Sequence, residues 1–214
     1  MSQQKTVTIL RILYPVWMIV GMYSLLYVPS VLIVAEDAAT TAGNILSKGF
    51  LFRSGIAGSL VTQLLFLGTV ILLYKLFKEV DKNQSLLMVI LVLVSVPIAM
   101  LNTLNRIAAL MLIKTPEQMM FFLDLNEQGI VIASIFWGLW LFPLGYLVYK
   151  SGYLPKFFGI AAIIGGFGYL LGSFTNLLFP NLGNLLLVFD IMTFGEVVFI
   201  LWLVIRGAKI PEIK

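Results

Sequence analysis

Six apolar runs, each about twenty residues long, constrain this chain more than anything else in it. They cover about 12–34, 54–74, 86–112, 129–149, 157–179 and 184–205. A hydrocarbon core about 30 Å thick is crossed by about twenty helical residues, at about 1.5 Å each. The chain is 60% apolar and 11% charged, whereas soluble domains carry roughly 25% charged residues. The runs are continuous, with none of the alternation of barrel strands, so helices are the expected spanning elements. The expected fold is all-α: a polytopic membrane helix bundle with six transmembrane helices, forming one domain over residues 1–214. Lys5 and Arg11 precede the first run, as in a secretory signal. That run is too long for a signal and lacks a small-residue cleavage site, so it is expected to be a retained span.

The short loops set an expected orientation. One side collects Lys5, Arg11, Lys75, Lys78, Lys82, Lys150, Lys156, Arg206, Lys209 and Lys214. The other side holds Lys48, Arg53 and Lys114. Positive charge marks the cytoplasmic side, so both termini are expected inside, in the cytoplasmic (inner) cell membrane. Tyr74, Tyr149, Tyr153 and Trp202 fall near the inner boundary, as an aromatic belt does. The net charge of +4 is spread over several loops and forms no stripe for a phosphate backbone, so no nucleic-acid partner is expected. Membrane lipids are the expected surroundings. Two outer loops carry helix signals. Residues 38–47 are expected to form a short helix along the membrane surface. Thr115 and Pro116 are read as the N-cap and first turn of a helix that runs on into the fourth span. Pro97 is expected to bend the third span.

The chain has no cysteine and no histidine. That rules out disulfides, thiolate or imidazole metal sites, histidine-held haem, and nucleophilic catalysis that needs either residue. No metal and no cofactor is expected. An intramembrane enzyme using Asp and Glu is the weakest functional reading, because no paired-carboxylate motif and no nucleophile with a base is present.

The polar residues inside the spans are grouped. In "LNTLNRIAALMLIK", residues 101–114, Asn102, Asn105 and Arg106 share one helix face. In the sixth span Asp190, Thr193 and Glu196 fall within about 120° of one another. Asp124, Glu127 and Gln128 share a face above the fourth span, the second span contributes Gln63, and the fifth contributes Asn176. Arg106 and Asp190 each lie six residues from the outer end of their spans, a depth of roughly 9 Å. An unpaired charge at that depth costs several kcal/mol, so Arg106 is expected to face Asp190, Glu196 or both. Two readings of the cluster stand side by side. One is a polar cavity opening outward, with Glu196 as a midplane carboxyl suited to proton coupling. The other is a salt bridge with amide hydrogen bonds that fixes helix register, or an Arg106 that snorkels to the headgroups.

The fifth span, "GIAAIIGGFGYLLGSFTN", spaces Gly168, Gly172 and Asn176 four apart and adds further small-xxx-small pairs. No strand precedes it and no Lys-Ser/Thr follows, so it is no nucleotide loop; it signals close helix packing. The same face also offers a surface for oligomerisation, though packing within the chain is the favoured use. Trp137 and Trp140 lie deep in the fourth span, either as core against those glycines or as an aromatic wall for a small-molecule ligand. Two functional readings follow. One is a small-molecule or proton-coupled transporter with a polar cavity in the outer half of the bundle. The alternative is a non-enzymatic accessory protein that binds a lipid or small ligand beside Trp137 and Trp140.

Across the chain, "YVPSVLIV", "NILSKGFLFRSGI", "IFWGLWLFPLGYLVYKSGYLPKFFGI", "GGFGYLLGSF" and "FGEVVFILWLVIRG" together are similar to bacterial integral membrane proteins grouped as domain of unknown function 4386. The resemblance runs from about residue 11 to 207, and "FWGLWLFPLGYLVYKSGYLPK" is its most specific block. It implies six spans and no particular activity. Members often carry a histidine in the segment matching "LDLNEQG", where this chain has Asn126. The resemblance also draws attention to Phe52 and Arg53, Glu127 to Gly129, and Gly195 with Glu196.

Overall fold

The computed structural model describes residues 2–179 and 181–209; Lys214, counted above for orientation, lies outside the described residues. Nine α-helices and one π-helical turn account for most of what is described. They are α1 (Gln3–Met22), the π turn (Tyr23–Tyr27), α2 (Val28–Leu32), α3 (Ala38–Ser47) and α4 (Gly49–Phe77), followed by α5 (Lys82–Met111), α6 (Pro116–Leu139), α7 (Leu141–Ser151), α8 (Lys156–Leu178) and α9 (Gly183–Arg206). Six stretches are long and apolar enough to cross a membrane: Gln3–Leu32, Gly49–Phe77, Lys82–Met111, Pro116–Ser151, Lys156–Leu178 and Leu185–Arg206. Each overlaps one of the six runs read from the sequence. Several helices extend past those runs into polar residues, because a helix goes on where capping groups replace apolar ones. Asp81 shows this at the start of α5. Its carboxylate accepts from the Gln84 backbone N–H at 3.1 Å and from Lys150 Nζ at 3.0 Å. Those two bonds hold the Asp81 carboxyl below its ordinary value, the backbone bond contributing most.

The residues pack as two compact units. The first comprises Met1–Pro15, Phe66–Ser95 and Val131–Lys214. Its core includes Leu10, Tyr14, Phe77, Met88, Trp140 and Phe158, all buried. Within it α8 packs against both α7 and α9. The glycines of α8 and its neighbours make that possible. A Cβ on Gly145 would stand 2.5 Å from the Gly159 carbonyl oxygen, and one on Gly168 would stand 2.7 Å from that of Phe189. A Cβ on Gly195 would collide with the carbonyl of Ala161. The small residues of α8 (Gly159, Ala162, Gly165, Gly166, Gly168) are buried, while Phe157, Ile160, Ile164, Phe167, Leu171 and Phe174 are exposed. Small residues inside and large apolar ones outside are what lipid, not water, selects for. About two thirds of the way along, the Pro116–Ser151 stretch is interrupted at Trp140, three residues before Pro143, whose ring displaces the preceding turn.

The second unit comprises Val16–Leu65 and Val96–Ile130. Val28, Leu32, Ile45, Phe52, Met119 and Leu123 form its apolar core together with two alanines. The expected helix over 38–47 is present as α3. Asp37 caps it by accepting from Thr40 N–H at 2.9 Å. Thr41 and Asn44 tie α3 to the end of α2: Val34 N–H donates to Thr41 Oγ1 at 2.9 Å, and Asn44 Nδ2 donates to the Leu32 carbonyl at 3.2 Å. α6 begins at Pro116 as expected, but Thr115 does not cap it with its side chain. Its hydroxyl donates backward to the Leu112 carbonyl at 3.0 Å, because the turn leaving α5 offers that acceptor first.

The glycine contacts generate a stability prediction. Gly145→Leu is expected to lower the unfolding midpoint in detergent, at a cost of about 1–3 kcal/mol from overpacking. Gly43→Ala is expected to leave the midpoint unchanged or raise it slightly, since a Cβ at Gly43 meets nothing within 4 Å. Tryptophan fluorescence during heating reads both, and equal midpoints would refute the close packing of α7 on α8.

Candidate functional site

The second unit is built around a buried arginine. Arg106, on α5, is only 5% exposed. Its Nε donates to Asn126 Oδ1 at 3.0 Å, and its Nη1 donates to the Ser24 carbonyl at 3.0 Å and to Ser59 Oγ at 3.4 Å. Four helical segments thus converge on one guanidinium: the π turn, α4, α5 and α6. A reciprocal pair of amide bonds braces α5 against α6. Asn102 Nδ2 donates to the Asn126 carbonyl at 2.8 Å, and Asn126 Nδ2 donates to the Asn102 carbonyl at 3.1 Å. Asn105 Nδ2 completes the chain by donating to Asn102 Oδ1 at 2.9 Å. Two glycines open the space. Any Cβ on Gly129 would overlap the Asn102 amide, and any on Gly58 would overlap the Ser24 hydroxyl.

The local backbone explains why Ser24 offers its carbonyl. In an α-helix the donor to Ser24 O is the N–H of Val28. Here that N–H reaches one residue further back, to Tyr23 O, which makes the turn π-helical. The next donor in the π register falls at position 29, and Pro29 has no N–H. Ser24 O therefore loses both donors that a helix can give it. A buried carbonyl without a donor costs about 1–3 kcal/mol, and Arg106 Nη1 takes the place of the missing donors.

Arg106 belongs to the second unit, whereas Asp190 and Glu196, its expected partners, belong to the first. Among the described residues the ion pairs are Lys78 with Glu79 and Lys150 with Asp81. The acceptors around Arg106 are neutral ones, supplied by its own unit. Glu127 acts on it electrostatically from beyond ion-pair distance. Nη2 finds no acceptor within hydrogen-bond range among the described residues. Asp124 and Glu127 are exposed, and Gln63 is buried in the same unit with no partner for its Oε1 among the described residues.

Glu196, Asp190, Asn176, Trp137 and Trp140 belong to the first unit. Glu196 is 8% exposed, and its Oε1 has no hydrogen-bond partner among the described residues. Its electrostatic neighbours are the phenols of Tyr14 and Tyr169. Asp190 is exposed, so the roughly 120° that separate it from Glu196 around α9 are enough to send one side chain outward and the other inward. Asn176 is half-buried. Trp140 is 1% exposed and sits edge-on to Phe66 with ring centroids 5.1 Å apart, which makes it core; Trp137 is half-buried. No group of three His, Cys, Asp or Glu among the described residues is arranged to hold a metal ion.

Sequence reasoning did not foresee Ser24 and Ser59 as partners of Arg106. A proline five residues after Ser24 was the available signal for the first.

The amide network generates a prediction. Asn126→Leu removes one acceptor from a buried cation and is expected to cost about 1–3 kcal/mol of stability. The Arg106→Met/Asn126→Leu double variant is expected to lose less than the two single variants added together, by about 0.5–3 kcal/mol. Strict additivity in denaturation would show that the two side chains do not interact.

The family model described as "Domain of unknown function (DUF4386)" matches residues 12–207. A protein of Archaeoglobus fulgidus described as uncharacterized is 34% identical over 158 residues, which is 74% of this chain and 86% of that protein. No solved structure matches the chain. The match over residues 12–207 takes in both the arginine centre and Glu196, and the chain belongs to the DUF4386 family.

Proposed function

We propose that this chain is a multi-pass protein of the cytoplasmic membrane, with both termini in the cytoplasm, that carries a small anion across that membrane. Arg106 is the anion contact and Glu196 the proton-exchanging group. The observation that carries the reading is the free Nη2 edge of Arg106. A guanidinium buried among neutral acceptors keeps its charge, and no carboxylate among the described residues lies within ion-pair distance of it. Such an edge suits the paired oxygens of a carboxylate or phosphate. Glu196 supports coupling to protons because it is buried and, among the described residues, no cation lies within ion-pair distance to fix its charge. The groups acting on it are the phenols of Tyr14 from α1, which shares a side-chain hydrogen bond with it, and Tyr169 from α8.

Transport is tested in proteoliposomes given radiolabelled acetate, lactate, succinate and phosphate under an imposed pH gradient. Uptake of at least one anion above protein-free vesicles is expected. Arg106→Gln is expected to reduce it at least tenfold, and Glu196→Gln to remove its dependence on the pH gradient while exchange persists. No uptake by the parent protein, or unchanged uptake by a folded Arg106→Gln variant, would sink the proposal.

Orientation is tested separately, using the absence of native cysteine. In intact cells a membrane-impermeant maleimide is expected to label Ser47→Cys, and to label Lys78→Cys only after lysis. The reverse pattern would overturn the topology.

A further inference from the structure

The first unit holds a second feature that the transport reading does not use. Where α9 ends, a cleft of about 630 Å³ opens between the α7–α8 turn and the segment after α9. Tyr153, Pro155, Trp202, Arg206 and Lys209 line it. The cleft holds its shape through the backbone. Lys209 N–H donates to the Tyr153 carbonyl at 2.8 Å, Gly207 closes α9 with a φ of 71°, and Arg11 donates to the Val204 and Ile205 carbonyls at 2.8 and 3.3 Å. Arg11 thereby satisfies carbonyls that the helix end leaves open. Arg206 lies over the Trp202 ring at 5.9 Å. Neither the Arg206 guanidinium nor the Lys209 ammonium has a hydrogen bond or ion pair among the described residues. Among the described residues no carboxylate lines the cleft.

A second groove, of about 330 Å³, shares Trp202 and Arg206 with the cleft and continues between α8 and α9. Its walls are Phe157, Val198, Leu201 and Ile205, all exposed apolar side chains. Cationic cleft and apolar groove thus meet at one tryptophan and one arginine. A free phosphate ester would use the cleft and leave the groove empty. A zwitterionic lipid would fill the groove and bring a cationic headgroup against Arg206 and Lys209. The occupant that matches both halves carries net negative charge on a phosphate and an acyl chain beside it.

We infer that this cleft and groove form a binding site for one anionic glycerophospholipid, its headgroup phosphate held by Arg206 and Lys209 and an acyl chain laid along Phe157, Val198, Leu201 and Ile205. The site is independent of the anion-transport reading and is tested without measuring flux.

The test is native mass spectrometry of delipidated full-length protein titrated with phosphatidylglycerol, phosphatidylcholine and soluble glycerol 3-phosphate. The parent protein is expected to retain one phosphatidylglycerol at concentrations where phosphatidylcholine is lost. Glycerol 3-phosphate in large excess is expected not to displace it. An Arg206→Gln/Lys209→Gln variant is expected to weaken phosphatidylglycerol binding about thirtyfold, each cation at a membrane surface counting for about fivefold. The single Lys209→Gln variant, which lies beyond α9, gives the fivefold step if the double variant does not fold. Equal retention of phosphatidylcholine, displacement by glycerol 3-phosphate, or an unchanged affinity in folded Lys209→Gln would each overturn the inference.

Discussion

A helix surrounded by hydrocarbon has no water to receive a backbone group that its own ladder leaves out, and the second unit is organised around one such group. Pro29 takes away a donor, the π turn shifts another by one residue, and the Ser24 carbonyl is left without either. Arg106 answers it. Once the guanidinium is held there, its Nε is directed at Asn126 and the remainder of Nη1 at Ser59. Asn126 is in turn fixed by Asn102, and Asn102 by the bare face of Gly129. Each side chain in this sequence has its place decided by the one before it. The family-like positions around Glu127 and Gly129 acquire a physical reason in this way, since a side chain at Gly129 would expel the amide that braces α5 against α6.

The first unit meets the same constraint by other means. Its helices approach through glycine, with carbonyl oxygens where a Cβ would stand on Gly145 and Gly168. Apolar burial provides no drive here, because lipid tails are as apolar as the side chains they replace; contact area between backbones takes that part. That is why α8 keeps Phe157, Ile160, Ile164, Phe167 and Phe174 outside and Gly159, Gly165, Gly166 and Gly168 inside, the reverse of a water-soluble helix.

The six helices were legible in the sequence because hydropathy over about twenty residues is a local property, and so was the glycine face of α8, whose spacing is itself helical. What was not legible was the partner of Arg106. Matched depth pointed to Asp190 and Glu196 on the assumption that a buried cation seeks an acid. Depth says nothing of rotation about the helix axis, and Asp190 faces outward while Glu196 faces its tyrosines. Nor does any residue pattern reveal that a serine will contribute its carbonyl rather than its hydroxyl, since that depends on a π turn whose hydrogen bonds are set by packing. Asn126 was visible only through the resemblance, which drew attention to the segment "LDLNEQG". Its amide oxygen offers the guanidinium a neutral acceptor. Trp140 shows another limit: its place in the fourth span left core and ligand wall both open, and its edge-on contact with Phe66 makes it core.

The choice of arginine over lysine follows from the geometry. Lysine would bring a point charge with three donors and could replace the bond to one carbonyl. It could not aim fixed donors at Asn126, Ser24 and Ser59 together, and its charge would be more strongly hydrated and so harder to bury. The planar guanidinium spends Nε and Nη1 on holding the unit together and still presents Nη2. A group that served packing alone would be complete once the Ser24 carbonyl and the two side-chain oxygens were satisfied, and a neutral amide could supply such donors without burying a charge. The retained charge and the remaining edge are the two properties that packing does not require and on which the proposed anion contact rests.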